Sequence, residues 1–330
     1  MVVTPQIACS QKPAPARGDA AITEALIQRH VNVIADDSML GRNTPSRGLE
    51  LTAAYVAAQF KRLGLQPGGD SGTFIQRYPI AISAGGGRGA PAPALGFDPG
   101  SAPNSVGILQ GTDPALRDEY IVVSAHMDHV GVNGASVKDS IWNGADDDAS
   151  GTAGVLALAE AFAQAPPKRS MIFLTVSGEE HGLWGSNWFA SHPPVPIDKI
   201  VANLNLDMIG RNWKDSIVVI GIEHSDLGAT VKKVSAAHPE LGITTMPDPW
   251  PQENFFGRSD HFNFARRGVP ALFFFNGTHA DYHEPSDSPD KIDAEKESRI
   301  VRLIYHIGVA VADAQGRPKW DPESYRKIVR

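Results

Sequence analysis

Histidine and carboxylate side chains that can hold metal ions recur along the middle of this 330-residue sequence. They stand directly after short apolar runs, where a strand would end, or in the loops that follow. The candidates are His126, one aspartate of the run Asp146–Asp148, Glu180, Asp207 and, from a late loop, His283. The only cysteine is Cys9, so no thiolate set is available. Imidazole with carboxylate suits zinc or a similar divalent ion.

Five such ligands are too many for one tetrahedral ion. Shared between two ions through a bridging carboxylate, they suit a hydrolytic site with the metals ~3.5–4 Å apart. Asp128, two residues after His126, is placed to hydrogen-bond the other ring nitrogen of that histidine and fix its tautomer. Glu179 precedes Glu180, and adjacent carboxylates on a loop can point apart, one onto a metal and one toward a bound water. The pattern predicts metal-assisted hydrolysis.

The elements that must position these side chains alternate between strands and helices. Strands are predicted at Tyr120–Ser124, Ser170–Val176, Ile200–Leu206, Ser216–Ile220 and Ala271–Phe275, and helices at 22–34, 49–63, 149–165, 182–190, 225–238 and 294–314. This alternation predicts an α/β sandwich with a largely parallel sheet. Ligands of such sheets bind beyond the carboxyl ends of the strands, and His126, Glu180 and Asp207 all fall there.

Composition narrows the range of partners. The chain has 30 Lys plus Arg and 37 Asp plus Glu, a formal charge of −7. Without a basic cluster, this balance argues against nucleic acid as a main partner. The longest apolar runs, such as Ala271–Phe275, are far shorter than the ~20 residues of a membrane helix. We therefore expect no membrane span, and the first residues show no intact signal peptide.

Glycine and proline divide the chain into segments. Residues 1–20 are predicted to be a flexible N-terminal arm. Residues 21–330 are predicted to form a single catalytic domain. Within it, the stretch 83–105 is dominated by glycine and proline and is predicted to be a long loop.

Five sequence blocks together resemble a known family. They are SAHMDHVG (124–131), NGADDDASGTAGVLALAEAF (143–162), SGEEHGLWGS (177–186), NLNLDMIG (203–210), and SDHFNFARRGVPALFFF with YHEPSDSPDKID (259–293). In this order they resemble the co-catalytic zinc aminopeptidases, a group that includes glutamate-carboxypeptidase-like enzymes and glutaminyl cyclases. The resemblance implies a three-layer α/β sandwich with a mixed, mostly parallel sheet, the phosphorylase/hydrolase-like fold of zinc exopeptidases.

The same resemblance implies a role for each site residue. Asp147 would bridge two zinc ions, His126 and Asp207 would complete one site, and Glu180 and His283 would complete the other. Glu179 would be the general base for a zinc-activated water, and Tyr282 would stabilise the oxyanion. A cis peptide bond between Asp147 and Asp148 is also implied. Cobalt or manganese could occupy the same ligand set in place of zinc.

Residues 250–258 supply candidates for substrate binding. Phe255 and Phe256 are predicted to line a hydrophobic pocket beside the scissile bond. Glu253 is a candidate for binding a free amino terminus, and Arg258 for binding a substrate carboxylate or carbonyl. We expect the substrate to be a peptide or a small amide. The resemblance favours secretion or a periplasmic location, and the sequence leaves the oligomeric state open.

Several other interpretations remain open. The same metal site would serve an aminopeptidase, which we favour, or a carboxypeptidase or dipeptidase. A glutaminyl cyclase would use one zinc, and a binding module would have lost its site, although every ligand is present here. The run Asp146–Asp148 alone would also suit a turn that caps the following helix. Four further histidines lie near the motifs and could take part, namely His129, His181, His261 and His279. Of these, His261 is predicted to be structural or to support a ligand rather than to be a ligand itself.

In some relatives a protease-associated domain is inserted ahead of the catalytic block. Here that space holds only the Gly/Pro-rich stretch 83–105. We expect that this arrangement opens the rim of the site and loosens any restriction on substrate length.

Overall fold

The computed structural model of the protein describes residues 18–80, 97–132 and 139–330. The strands in these ranges are β1 (Gln66–Pro67), β2 (Ile75–Pro79), β3 (Ser101–Leu109), β4 (Tyr120–His126), β5 (Gly131–Val132), β6 (Ile141–Trp142), β7 (Ser170–Val176), β8 (Ile200–Leu206), β9 (Ser216–Ile220), β10 (Thr244–Met246) and β11 (Ala271–Phe275). The α-helices are α1 (Glu24–Ile34), α2 (Arg47–Arg62), α3 (Gly151–Gln164), α4 (Trp184–Ser191), α5 (Leu227–Ala237), α6 (His261–Ala265), α7 (Ala294–Asp313) and α8 (Pro322–Ile328).

Within the described residues, nine strands form one mixed sheet in the order β1-β3-β7-β4-β8-β11-β9-β10, with β2 paired to β3. The centre is parallel, because β4 pairs in parallel with both β7 and β8, and β8 with β11. β3 runs antiparallel to β7, and β9 runs antiparallel to β11. The predicted mixed, mostly parallel α/β sheet is thus confirmed. The short pair β5–β6 lies outside this sheet.

Alternate residues of the central strands pack on opposite faces of the sheet, as a side-chain period of two requires. Ile121 and Val123 of β4 join the larger core, which α1, α3, α5 and α7 cover. Val122 joins the smaller core with Phe189 of α4 and Phe264 of α6. The sheet therefore lies between two helical layers. No helix among the described residues has the length and apolarity needed to cross a bilayer.

Side-chain caps mark where several helices begin. Thr23 accepts a hydrogen bond from the Leu26 amide at the start of α1, and Asp293 does the same for Lys296 at the start of α7. Such caps satisfy amides that have no partner within the helix. Ser46 caps α2 by accepting from the Leu49 amide.

The predicted loop 83–105 is wrong over its last five residues, because Ser101–Leu109 form β3 inside the sheet. The small polar side chains of this stretch are buried and paired with backbone: Asn104 donates to the Gly185 carbonyl and accepts from the Ser177 amide. That pairing gives a strand where composition suggests a loop. Residues 83–96 lie outside the described residues, so nothing in the structure tests that part of the prediction.

The flexible arm predicted for residues 1–20 is wrong at its end. Asp19–Ala21 form a 3-10 turn, and Gly18 is buried so closely against α3 that a Cβ there would lie 2.3 Å from the Ala161 carbonyl oxygen. Residues 1–17 are outside the described ranges.

Candidate metal centre

The carboxyl ends of the parallel strands bring the predicted site residues to one edge of the sheet. His126 is the last residue of β4, the pair Glu179 and Glu180 follows β7, and Asp207 follows β8. His283 comes from the loop after β11. Because β4, β7, β8 and β11 all point the same way, these loops converge on a common space.

One donor group forms around His126. Its Nε2 lies 3.2 Å from Oδ1 of Asp147 and 3.7 Å from Oδ1 of Asp207. All three side chains are buried or nearly so. The other oxygen of Asp207 is occupied, because it accepts a 2.7 Å hydrogen bond from the Ser259 hydroxyl.

A second donor group forms on the other side of Asp147. Oδ2 of Asp147 lies 3.0 Å from Nε2 of His283, and the same nitrogen lies 3.0 Å from Oε2 of Glu180. The two oxygens of Asp147 therefore face two different donor groups, which is the arrangement of a bridging carboxylate. The structure thus brings together all five residues that the resemblance implied as ligands.

These donors fit zinc. Donors at 2.0–2.1 Å from a tetrahedral ion lie about 3.3 Å from one another, close to the spacings found here. Oδ2 of Asp147 and Nε2 of His283 are also buried and have no hydrogen-bond partner among the described residues, although they are only 3.0 Å apart. Both atoms are therefore positioned to share a cation rather than a hydrogen bond.

Without a cation, the carboxylates act on the pKa of His283. Burial lowers the pKa of this imidazole, but the contacts with Asp147 and Glu180 outweigh burial and raise it to about 10. A proton on His283 thus substitutes for part of the positive charge that the two carboxylates require.

Asp148 supports the centre through its backbone contacts. It lies within ligand distance of His126 and Asp207. Its oxygens, however, accept hydrogen bonds from the amides of His126, Gly151 and Met208. A cis peptide bond joins it to Asp147, which confirms that prediction. The two neighbouring aspartates thus face different partners.

Asp128 contacts His126 differently from the prediction. The backbone carbonyl of Asp128, not its carboxylate, lies 3.1 Å from Nδ1 of His126. The nearer carboxylate oxygen is 3.6 Å away. The carboxylate is occupied by the amides of Gly178 and Glu179, at 2.7 and 3.3 Å. Asp128 therefore fixes the loop that carries Glu179 and Glu180 against the loop that carries His126.

Arg42 is a functional residue that sequence reasoning missed. It is fully buried, and its guanidinium donates to the carbonyls of Ile34, Met127, Asn143 and Gly144. Burial lowers its pKa to about 10, while nearby carboxylates, first among them that of Asp128, oppose the shift. Arg42 therefore remains charged at neutral pH. It ties the backbone after His126 to the backbone before the aspartate run.

The two residues after Arg42 extend this support. The hydroxyl of Thr44 donates to Oδ2 of Asp128 at 2.9 Å and accepts from the Gly178 amide at 3.0 Å. The side-chain oxygen of Asn43 lies 2.9 Å from Nε2 of His181. We refer to Arg42–Thr44 as the support segment. Its residues stand in a polar stretch without periodicity, so no sequence signal singles them out.

Glu179 lines a cleft beside the donors, of about 400 Å³ and partly open to solvent. Burial raises the pKa of the Glu179 carboxyl well above its usual value, and nearby His126 opposes this shift. Tyr282 also lines the cleft, and its ring stacks on His283 at 4.0 Å between centroids. The rest of the wall is mixed: Met208, Phe255, Phe273 and Phe275 form its apolar part, and Arg258 and Thr278 add polar groups.

Two predicted substrate residues do not line this cleft. Phe256 packs instead against His224 and His261, at 4.3 and 5.0 Å between ring centroids. Glu253 is half-exposed and lies 3.6 Å from Arg258. Their places follow from the short helical turns at 251–253 and 255–257, which turn successive side chains in different directions. Phe256 and Glu253 therefore do not line the cleft, although they lie close to Phe255 and Arg258 in the sequence.

The four additional histidines have different surroundings. Nδ1 of His129 lies 3.0 Å from Glu180, within the second donor group. Nε2 of His279 lies 3.1 Å from Asp146, which is not one of the proposed ligands. His261 is fully buried between aromatic rings, and burial lowers its pKa to about 3. It is thus neutral, as a structural residue would be.

Solved structures share this fold. A zinc aminopeptidase from Bacillus subtilis superposes with a TM-score of 0.68, covering 90% of this chain and 97% of that one at 16% identity. Among curated sequences, a probable zinc metalloprotease of Pyrenophora tritici-repentis is 27% identical over 80% of this chain and 58% of its own length. The aminopeptidase YwaD of Bacillus subtilis is 24% identical over 61% of this chain and 43% of its own length. The chain thus spans about half the length of these two relatives.

The fold and the paired donor groups define a zinc exopeptidase-like architecture. The sequence profile of peptidase family M28 matches residues 104–308, more than half of the chain. The chain belongs to peptidase family M28.

Proposed function

We propose that the protein is a two-zinc exopeptidase that removes N-terminal residues from peptides. The observation that carries this proposal is the position of Asp147, whose two carboxylate oxygens face separate donor groups. The facing nitrogen and oxygen atoms of these groups lie 3.0–3.7 Å apart, beside a cleft that Glu179 lines. His126 and Asp207 would hold one ion, and Glu180 and His283 the other. The likeness to aminopeptidases in fold and family agrees with this proposal.

Bound zinc would supply a water of lowered pKa and polarise the scissile carbonyl. Glu179, which lines the cleft and lies outside both donor groups, would accept a proton from the attacking water and pass it to the leaving amine. Its burial, which raises the pKa of the carboxyl, makes it a stronger proton acceptor than an ordinary glutamate. The Tyr282 hydroxyl donates a hydrogen bond to the developing oxyanion.

The apolar part of the cleft wall indicates which substrate side chain the enzyme prefers. Phe255, Phe273 and Phe275 form an aromatic cluster, with centroids of 5.0 Å from Phe275 to each of the other two rings. Burial of a leucine-sized side chain against such a surface is worth about 1.5–3 kcal/mol. We infer a preference for an apolar N-terminal residue.

Hydrolysis of leucine anilide, compared with its N-acetylated counterpart in zinc-replete enzyme, tests this function. An aminopeptidase cleaves the free-amine compound and leaves the acetylated one intact. Equal cleavage of both compounds, or cleavage of neither, contradicts the aminopeptidase assignment. Metal content measured on the same samples shows whether two zinc ions are bound.

A carboxypeptidase or dipeptidase activity is the second candidate, because the cation Arg258 lines the same cleft. Its guanidinium lies 4.7 Å from the centroid of the Phe255 ring and is partly exposed. An arginine there is able to bind the terminal carboxylate of a short peptide in a bidentate manner. An N-blocked dipeptide and its C-terminal amide separate the two functions. Cleavage of the free acid alone assigns carboxypeptidase activity.

A further inference from the structure

His129 extends the donor group on the Glu180 side. It follows β4 by three residues and is fully buried. Its Nδ1 lies 3.0 Å from Oε1 of Glu180 and 3.6 Å from Oδ2 of Asp147. The ring meets His283 edge to face, with centroids 5.5 Å apart. His129 thus faces the same space as the residues that the family motif identifies.

Four donors therefore surround one point. They are Nδ1 of His129, Oδ2 of Asp147, the Glu180 carboxylate and Nε2 of His283. Oε1 of Glu180 lies 3.0 Å from His129 and Oε2 lies 3.0 Å from His283, while Oδ2 of Asp147 lies 3.6 Å from His129 and 3.0 Å from His283. These separations bracket the edge of about 3.3 Å expected for a tetrahedron of ligands around zinc. We propose that His129 is a fourth protein ligand of the ion on the Glu180 side. This proposal rests on the proposed two-zinc centre.

The surroundings of His129 favour this role. Gly144, at a φ of 53°, leaves the space that the ring occupies, because a Cβ there would lie 2.4 Å from Cγ of His129. Among the described residues, Nε2 of His129 has no hydrogen-bond partner. Nδ1 faces Glu180 and Asp147, so it is the nitrogen that would bind a metal, with the ring proton on Nε2.

The proposal makes the two ions unequal. Four protein donors would complete the coordination of the ion on the Glu180 side. His126, Asp147 and Asp207 would supply only three donors to the other ion and leave one coordination position open. Zinc sites with four protein ligands are closed, and catalytic sites keep one position free. The cleft agrees with this division, since its lining includes His126, Asp147 and Asp207 but not His129, Glu180 or His283. The closed ion binds first and is released last.

The test measures zinc binding rather than turnover. We compare wild type with His129→Asn, whose amide can still donate a hydrogen bond to Glu180 but is a poor zinc ligand, and with His129→Phe. His181→Gln is the matched control, because it removes a histidine next to Glu180 that lies outside the donor group. Calorimetric zinc titration of each metal-free protein gives the two dissociation constants. Thermal melting checks that each variant is folded.

We expect the tighter dissociation constant to rise more than 100-fold in both His129 variants and to stay unchanged in His181→Gln. Loss of a residue that only orients a ligand costs 10–100-fold in affinity. If His129→Asn keeps wild-type affinity, His129 acts only through its hydrogen bond and the proposal is wrong. If wild type itself fails to bind two ions, the proposed function fails instead.

X-ray absorption of wild type loaded with one equivalent of zinc supplies a test that needs no variant. The proposal predicts two imidazole ligands on this first ion, from His129 and His283. A spectrum with one imidazole overturns it, even if both His129 variants prove too unstable to titrate. Two imidazoles in wild type and one in His129→Asn would support it.

Discussion

The metal centre depends on two regions of the chain that differ in kind. Residues 104–308, which match the family profile, carry every proposed ligand and Glu179. The support segment Arg42–Thr44 lies more than sixty residues earlier, carries no ligand, and touches three of the loops that do. Its contacts go to backbone, to Asp128 and to His181 rather than to the donors.

This difference shows that the chemistry and the geometry of the site have separate sources. A family motif identifies groups that react or bind metal, because their residue types are restricted. Apart from the short β5–β6 pair, the described parts of the loops that hold these groups are largely irregular. A buried guanidinium that bonds four carbonyls supplies what the loops lack. Substitutions in the two regions should therefore fail in different ways.

The largest effect on chemistry alone is expected from Glu179→Gln. Turnover should fall by about 10²–10⁴-fold, since the variant cannot accept a proton from the attacking water. Zinc content and melting temperature should stay close to wild type, because Glu179 is not a ligand. Steady-state kinetics with leucine anilide, together with metal analysis, check both parts. Near wild-type turnover would remove Glu179 from the base role.

Arg42→Met should instead lower stability and zinc affinity without removing any group that takes part in the reaction. It leaves four buried carbonyls without their donor, and we expect a loss of about 3–5 kcal/mol in the free energy of unfolding. Zinc binding should weaken as well, although no ligand is altered. Urea denaturation of the metal-free protein measures the free energy of unfolding. Arg42→Lys is the control, and it should recover only part of the loss because an ammonium has fewer donors.

Thr44→Val tests a single contact of the support segment. The hydroxyl bridges Asp128 and the Gly178 amide, and its loss should cost about 1–3 kcal/mol of stability. Thr44→Ser keeps the hydroxyl and removes one buried methyl group, so it should cost about 1 kcal/mol or less. If Thr44→Val and Thr44→Ser have the same free energy of unfolding, the hydrogen bonds of Thr44 do not hold the two loops together.

Asn43→Ala should have the smallest effect. Its bond to His181 is exposed, so we expect about 0.5 kcal/mol or less. Zinc affinity should not change, since His181 lies outside both donor groups. A large loss of affinity in this variant would mean that the support segment acts as a unit and not contact by contact. Zinc titration and urea denaturation in parallel decide between these outcomes.

Sequence patterns predicted the centre of the fold well. The predicted strands Ser170–Val176, Ile200–Leu206, Ser216–Ile220 and Ala271–Phe275 are confirmed to the residue, because buried strands have continuous apolar runs with clear ends. β3 was missed because its first five residues, SAPNS, are small and polar. Their burial depends on partners in β2, β7 and α4 that local sequence does not show.

The site was predictable to a similar degree. The five proposed ligands converge because they follow strands that end at one edge, and this placement could be inferred from the sequence. Arg42 and Ser259 could not be inferred, since a buried arginine and a hydroxyl bonded to Asp207 act through tertiary contacts. Phe256 and Glu253 do not line the cleft, because the tight turns around them determine where each side chain points.

In the proposed two-zinc centre, the shared position of Asp147 would make the two halves thermodynamically interdependent. One carboxylate belongs to both donor groups, so occupancy of either half changes the charge and orientation that the other half encounters. Such coupling between two binding events is reciprocal. The affinity measured for either ion therefore describes the pair in a stated occupancy, and Asp147→Asn would alter both affinities together.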